Sequence, residues 1–281
     1  METQLEQIRD QQKEIWNRFS PGWKKWDDLT MEFLKTAGDE IIRLLNPKNE
    51  DVVLDVASGT GEPGLTIATL LRGGIVVITD LAEGMLNVAR ENAERRRIKN
   101  VEFIASDVSE LPFHDNSFDA ISCRLGFMFF PDMNLAAKEI LRVLKPGGKF
   151  ATAVWNSPEK NFWATAAINV INRDLQLIPP PPGAPGLFRC SKSGFIADIL
   201  NQAGFKNIKE IETNGEMNMG TTESYWHFMT EVVAPVVAAL SKADDKMKER
   251  IRNEVFEAVN QKYAQGEVRF DTSTLVICGE K

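Results

Sequence analysis

Cysteine is scarce in this 281-residue chain: Cys123, Cys190 and Cys278 lie far apart, are odd in number and form no C-x-x-C pair. That pattern argues against a disulfide framework or a cysteine-rich zinc cluster, and points to a reducing compartment. Histidine is scarcer still, at two residues, His114 and His227. Long hydrophobic runs are missing. A membrane-crossing helix needs about 20 largely apolar residues, whereas the uncharged stretch Val232–Leu240 is far shorter and contains Pro235. The opening METQLEQIRDQQKEIW is charged throughout and has no apolar core, so it does not read as a secretory signal. Positive charge is in deficit: 33 Lys+Arg against 40 Asp+Glu give a formal net charge of −7, which disfavours nucleic acid as a partner. What is present, 43% hydrophobic and 26% charged residues, is globular composition. A cytoplasmic, enzyme-sized monomer or homodimer with no transmembrane segment is expected.

Periodicity organises the chain. Glu2 to Phe19 reads as a helix broken at Ser20-Pro21-Gly22, and a second helix is expected from Asp27 to Leu45, ended by Asn46-Pro47. Short apolar strands then alternate with helices: Val52–Val56, Ile75–Asp80, Val101–Ala105, Phe118–Cys123 and Lys149–Trp155. The intervening helices are expected at about Pro63–Leu71, Glu83–Arg97 and Leu135–Leu144. Such alternation implies right-handed crossovers and a parallel sheet covered on both faces, with ligands bound at the carboxyl ends of the strands. Regularity stops near Asn156, and Pro179–Gly186 holds five of the thirteen prolines. A helix over Ser193–Gln202, a strand over Lys206–Ile211, two helices within 222–262 and a last strand, Thr274–Cys278, complete the reading. The implied organisation is an N-terminal helical lid (1–39), a sheet core (40–156), a Pro-rich lid segment (157–192), a core continuation (193–213), a helical insertion (214–267) and a final core strand (268–281).

The strongest local signal is Asp55-Val56-Ala57-Ser58-Gly59-Thr60-Gly61-Glu62-Pro63-Gly64, which closes the first strand and opens a helix. Glycines let a backbone approach a ligand closely, and a helix start presents free N–H groups. Gly59, Gly61 and Gly64 match G-x-G-x-x-G, and Asp80 follows Gly61 by nineteen residues at the second strand's end. This combination fits an adenosine-containing ligand whose ribose hydroxyls donate to the carboxylate. A nicotinamide dinucleotide, hence an oxidoreductase, is one reading; a cofactor-binding scaffold without turnover is another. Asp55, four residues before Gly59, suits a ligand carrying an ammonium group better than a pyrophosphate. Ser106-Asp107-Val108 offers a second carboxylate for an adenine amino group.

With Phe118-Asp119-Ala120-Ile121 and Leu141-Arg142-Val143-Leu144-Lys145-Pro146-Gly147-Gly148-Lys149 added, the chain resembles a class I S-adenosylmethionine-dependent methyltransferase, closest to the ubiquinone/menaquinone biosynthesis C-methyltransferase group. The resemblance is specific over about residues 40–156. It implies an α/β, Rossmann-like doubly wound sheet of order 3-2-1-4-5-7-6 with strand 7 antiparallel. The implied cofactor is S-adenosyl-L-methionine, with S-adenosyl-L-homocysteine as product. Asp55, Ala57, Ser58, Gly59 and Gly61 are implied to hold its methionine part, with Ala57 in place of a more usual glycine. Asp80 is implied to hold the ribose, Leu81 and Met85 to pack on the adenine, and Ser106, Asp107 and Val108 to address its edge. Cys123 is implied to line the cofactor through its backbone.

The position after the fourth strand, Cys123-Arg124-Leu125-Gly126, has no N/D/S-P-P-aromatic motif, no carboxylate cluster for a divalent metal and no glutamate pair. Base amino groups, metal-bound catechols and protein arginine are therefore disfavoured as acceptors. A small, partly apolar acceptor with an O, C or N nucleophile remains. Trp16, Phe19, Trp23 and Trp26, Phe127–Phe130, and Trp155, Phe162 and Trp163 supply candidate aromatic walls. Transfer is expected by in-line displacement, with alignment and water exclusion as the protein's main contribution. His227, beside Tyr225 and Trp226, is the better placed histidine for a base; Arg124 is open to two readings, an anchor for an anionic substrate and, the favoured one, an ordinary surface or helix-end partner; the sequence assigns no catalytic residue. Arg95-Arg96-Arg97 reads as a solvated helix end.

Overall fold

Apolar runs bounded by glycine and polar turns become the strands of one sheet. The structure, a computed structural model, describes residues 3–178, 180–181, 183–263 and 267–281. The strands are β1 (Val52–Val56), β2 (Ile75–Asp80), β3 (Val101–Ala105), β4 (Phe118–Arg124), β5 (Leu144–Trp155), β6 (Lys206–Gly220) and β7 (Val268–Glu280). Their spatial order is β3-β2-β1-β4-β5-β7-β6. Neighbours from β3 to β5 run parallel, and β7 is antiparallel to both β5 and β6.

Alternation along the strands sorts side chains to two cores. On one face, Val53, Val76, Ile78 and Ala153 pack under α3 (Lys35–Leu45), α4 (Gly64–Leu70) and α5 (Glu83–Arg95). On the other, Leu54, Val56, Ile121 and Phe150 pack under α6 (Met133–Val143) and α8 (Phe195–Ala203). That second core continues into α7 (Phe162–Asp174) and into α9 (Thr222–Val232), α10 (Ala234–Leu240) and α11 (Asp245–Lys262).

Several elements differ from the sequence expectation. The first helix, α1 (Gln4–Lys25), passes through Pro21 without breaking. Proline there leaves the Asn17 carbonyl without its helical N–H partner, and Ser20 Oγ donates to that carbonyl at 2.9 Å. The expected Asp27–Leu45 helix is two, α2 (Asp27–Phe33) and α3, jointed at Leu34. Helix α3 lies on the sheet, so a lid boundary at residue 39 cuts through a core helix. Helix α7 forms within the segment expected to be irregular. Pro179 and Pro182 of the proline run lie outside the described residues.

Strand β6 runs to Gly220 and β7 begins at Val268, both well past the expected limits. Strand β5 pairs with β7 only from Thr274 onward, so residues 214–220 and 268–273 project as a two-stranded ribbon. The ribbon carries Phe270, which packs on Tyr225, Tyr263 and Phe162, and so supports the helices 222–262. Those helices number three where the sequence suggested two.

Candidate active site

The carboxyl ends of β1, β2 and β4 border a cleft of about 1410 Å³, counted out to its open mouth. Its floor is the loop after β1. Ser58 N–H donates to the Thr79 carbonyl and Gly61 N–H to the Ser58 carbonyl, both at 3.0 Å, which ties the loop to β2 and back on itself. Ala57 (φ +50°), Gly59 (φ +57°) and Gly61 (φ +107°) take left-handed backbone conformations. The space where a Gly59 side chain would stand is open, so the backbone itself faces the cleft. Ser58 Oγ is buried, borders the cleft and has no hydrogen-bond partner in the protein. Such a group calls for a ligand or a water.

Asp80 joins the loop to the next helix: Oδ2 accepts from Gly59 N–H and Oδ1 from Ala82 N–H, each at 2.9 Å. Burial pushes its carboxyl up to about 6 against those bonds. Each carboxylate oxygen keeps a second acceptor direction. Asp107 stands at the far end, its Oδ1 accepting from Ser109 N–H at 2.8 Å. Of the residues the sequence marked, Ala57, Ser58, Gly59, Asp80, Leu81, Met85, Ser106, Asp107 and Val108 line the cleft.

Asp55, Gly61 and Cys123 do not line it. Asp55 is wholly buried beneath the loop, where Oδ2 accepts Gly64 N–H at 2.9 Å and Oδ1 accepts Ser122 Oγ–H at 2.6 Å. Desolvation raises its carboxyl to about 7. The carboxylate that looked suited to an ammonium group holds the loop instead. Gly61 faces Leu65 and Ala89, where a Cβ would meet Leu65 Cδ1 at 2.7 Å. Cys123 is fully buried, and burial pushes its thiol up to about 12.

Three segments distant in the chain roof the cleft. Helix α1 contributes Arg9, Gln12, Trp16 and Trp23. The α2–α3 joint contributes Phe33 and Leu34, and helices α9 and α10 contribute Phe228 and Val232–Pro235. Of the expected aromatic walls, Trp16, Trp23, Phe129, Phe130, Trp155 and Trp163 face the cleft, while Phe19, Trp26, Phe127 and Phe162 are packing residues. Phe33 and Phe228 were missed. Phe33 stacks on Trp155 with centroids 6.0 Å apart and an interplanar angle of 9°. Nothing local singled Phe33 out, because only the folding of the α2–α3 joint over the sheet brings these rings together.

His227 is not in the cleft. It lies on α9, largely exposed, with Nε2 3.2 Å from Glu223 Oε1. The Arg95-Arg96-Arg97 run is not merely a solvated helix end: Arg95 pairs with Asp27 at 2.9 Å and Arg96 with the buried Glu62. These pairs lock α2 and the glycine loop to α5.

A model of the ubiE/COQ5 methyltransferase family matches residues 9–169, more than half of the chain. The chain belongs to that family. The protein is an S-adenosylmethionine-dependent methyltransferase of small molecules. The match sets aside the nicotinamide alternative. Among relatives, the chain is 36% identical over 149 residues to the ubiquinone/menaquinone biosynthesis C-methyltransferase UbiE of Rickettsia prowazekii, covering 50% of this chain and 60% of that one. It is 28% identical over 222 residues to the demethylmenaquinone methyltransferase of Listeria monocytogenes, covering 72% and 90%. The fold resembles the YcgJ protein of Bacillus subtilis (TM-score 0.58, 21% identity, 87% of this chain and 97% of that one). It also resembles phosphoethanolamine N-methyltransferase 2 of Haemonchus contortus (TM-score 0.58, 19% identity, 96% and 60%). No helix among the described residues is long and apolar enough to cross a membrane.

Proposed function

We propose that the cleft binds S-adenosylmethionine along the β1–β3 edge and a flat, largely apolar methyl acceptor beside β4 and β5. The observation that carries this reading is the Asp80 carboxylate, pinned by Gly59 N–H and Ala82 N–H at the cleft wall. Held so, it accepts a pair of ribose hydroxyls with no reorganisation of its own. Asp107 accepts from the adenine amino group, Val108 presents its backbone to the ring edge, and Leu81 and Met85 pack on the adenine. Ser58 Oγ and the exposed backbone at Gly59 take the polar end of the methionine part. Asp55 and Gly61 act through the loop they shape, and Cys123 only fills space.

The bound cofactor supplies a methyl group on a positively charged sulfur. The chain's own contribution is alignment and exclusion of water, which in well-oriented reactions is worth up to about 7–11 kcal/mol. Phe33, Trp155, Trp163 and Phe228 pack on one another as an apolar aromatic wall on the acceptor side. The names of the Rickettsia and Listeria relatives, both from quinone biosynthesis, fit a planar ring acceptor.

The test pairs two measurements. S-adenosylhomocysteine should bind the protein in a calorimeter, and Asp80→Ala should weaken it by the about 1.5–3 kcal/mol of lost charge-assisted bonds; unchanged affinity removes Asp80 from the site. A cell extract incubated with protein and a trideuteromethyl donor should yield a planar apolar product heavier by one labelled methyl. A labelled product that is strongly polar overturns the acceptor class.

A further inference from the structure

One charged group in the acceptor half has no carboxylate in contact and takes no part in anything described so far. Arg124 ends β4, beside the tip of β5 and Trp155, on the side of the cleft away from Asp80 and Asp107. Its one hydrogen bond among the described residues is Nη1 to the Leu34 carbonyl, at 3.4 Å. A guanidinium has five N–H donors, and no carboxylate among the described residues lies within 4 Å of this one. Three carboxylates act on it through space, Glu62, Asp55 and Asp27, and Glu62 also borders the cleft, but each is engaged by a nearer group. Asp27 is engaged by Arg95, Glu62 by Arg96, and Asp55 by Ser122 and Gly64. Gly38 of α3 packs beside the side chain, where a Cβ would stand in ordinary contact 3.7 Å from Nη1.

A desolvated cation with no carboxylate in contact is costly unless the ligand brings one. The rest of this compartment is apolar: Phe33, Trp155, Trp163, Phe228 and Val232. Trp23 adds a second unused donor at the cleft, its indole Nε1 buried without a partner. The compartment therefore presents donors and apolar rings.

Resting on the acceptor compartment proposed above, we infer that the methyl acceptor is an anion: a planar apolar molecule bearing one delocalised oxyanion, a carboxylate or an ionised phenol, which Arg124 grips through its guanidinium. Arg124 is then the residue that fixes the acceptor's orientation. A planar guanidinium suits a planar oxyanion because two parallel N–H bonds define direction as well as distance.

The test is calorimetric binding, in the presence of S-adenosylhomocysteine, of three probes: 2-naphthoate (carboxylate), 2,4-dinitro-1-naphthol (ionised phenol at neutral pH) and 2-naphthalenemethanol (neutral). The wild-type protein should bind one or both anions at least tenfold more tightly than the neutral probe, and the tighter one names the oxyanion. In Arg124→Gln the preference should fall below twofold, and in Arg124→Lys at least threefold should survive. A wild-type preference under threefold, failure to bind any probe, or a preference unchanged in Arg124→Gln overturns the inference. So does a tenfold loss of S-adenosylhomocysteine affinity in Arg124→Gln, which would hand the guanidinium to the cofactor's own carboxylate. If S-adenosylhomocysteine fails to bind the wild-type protein, the cofactor assignment falls, and probe selectivity measured without it still decides the role of Arg124.

Discussion

The Asp55 carboxylate receives Gly64 N–H at 2.9 Å across nine residues of chain, and its other oxygen receives the Ser122 hydroxyl at 2.6 Å. This double acceptor ties both ends of the glycine loop to β4. Removing it in Asp55→Ala leaves two buried donors unsatisfied, at about 1–3 kcal/mol each. Chemical denaturation should show a loss of at least about 2 kcal/mol. Asp55→Asn can accept from Gly64 and donate to Ser122, so it should stay within about 1 kcal/mol of the parent. Equal losses in the two variants would mean that the charge of Asp55 matters, not its hydrogen bonds.

Ala57 holds a backbone conformation that favours glycine, with φ +50°. A left-handed residue with a Cβ costs about 1–2 kcal/mol, partly offset by the extra freedom glycine brings to the unfolded chain. Ala57→Gly should therefore raise the unfolding free energy by about 0.5–1 kcal/mol in equilibrium denaturation. Gly126→Ala should do the reverse, because its Cβ would meet the Ala57 methyl at 2.5 Å.

Asp80 must be ionised to accept two hydroxyl donors, and burial has lifted its carboxyl to about 6. The sign follows directly: affinity for S-adenosylhomocysteine is full above that value and declines as pH falls through it. Calorimetry should record up to about a tenfold loss between roughly pH 7 and pH 5. Asp80→Asn should bind more weakly at neutral pH and lack this acidic limb. A wild-type profile flat across that range would show that the carboxylate is not the acceptor.

Gly22 sits where α1 meets α9, and a Cβ there would fall 2.1 Å from the Glu231 carbonyl oxygen. Glu231 also accepts from Trp26 Nε1 at 2.7 Å and pairs with Lys25. Gly22→Ala should force the two roof helices apart at an overpacking cost of about 1–3 kcal/mol. Hydrogen exchange should rise over residues 4–25 and 222–240 while β1 to β5 stay protected. Uniform deprotection of the sheet would show that α1 is integral to the core.

The parallel half of the sheet was legible because its signals are local. Val52–Val56 and Ile75–Asp80 are short apolar runs closed by turns, and their acidic ends mark the ligand edge wherever the fold puts them. Pro21 was misleading because its compensation, the Ser20 hydroxyl on the Asn17 carbonyl, is a side-chain geometry that helix propensity does not encode. The far ends of β6 and β7 were missed because a ribbon is stabilised by its partner strand and by Phe270 packing on distant helices.

By itself the sequence determined the alternating α/β order, the glycine loop with its acidic strand tips and, through them, the methyltransferase family. Those features depend on residues within a few positions of one another. Tertiary structure alone decided which charges are spent. Asp55 turned inward to clasp the loop, Glu62 and Asp27 were claimed by Arg96 and Arg95, and Arg124 was left with no carboxylate in contact at the cleft, near Phe33 and Trp155. Whether a charge is neutralised or offered to a ligand depends on which remote segments cover it, and that is set only when the chain has folded.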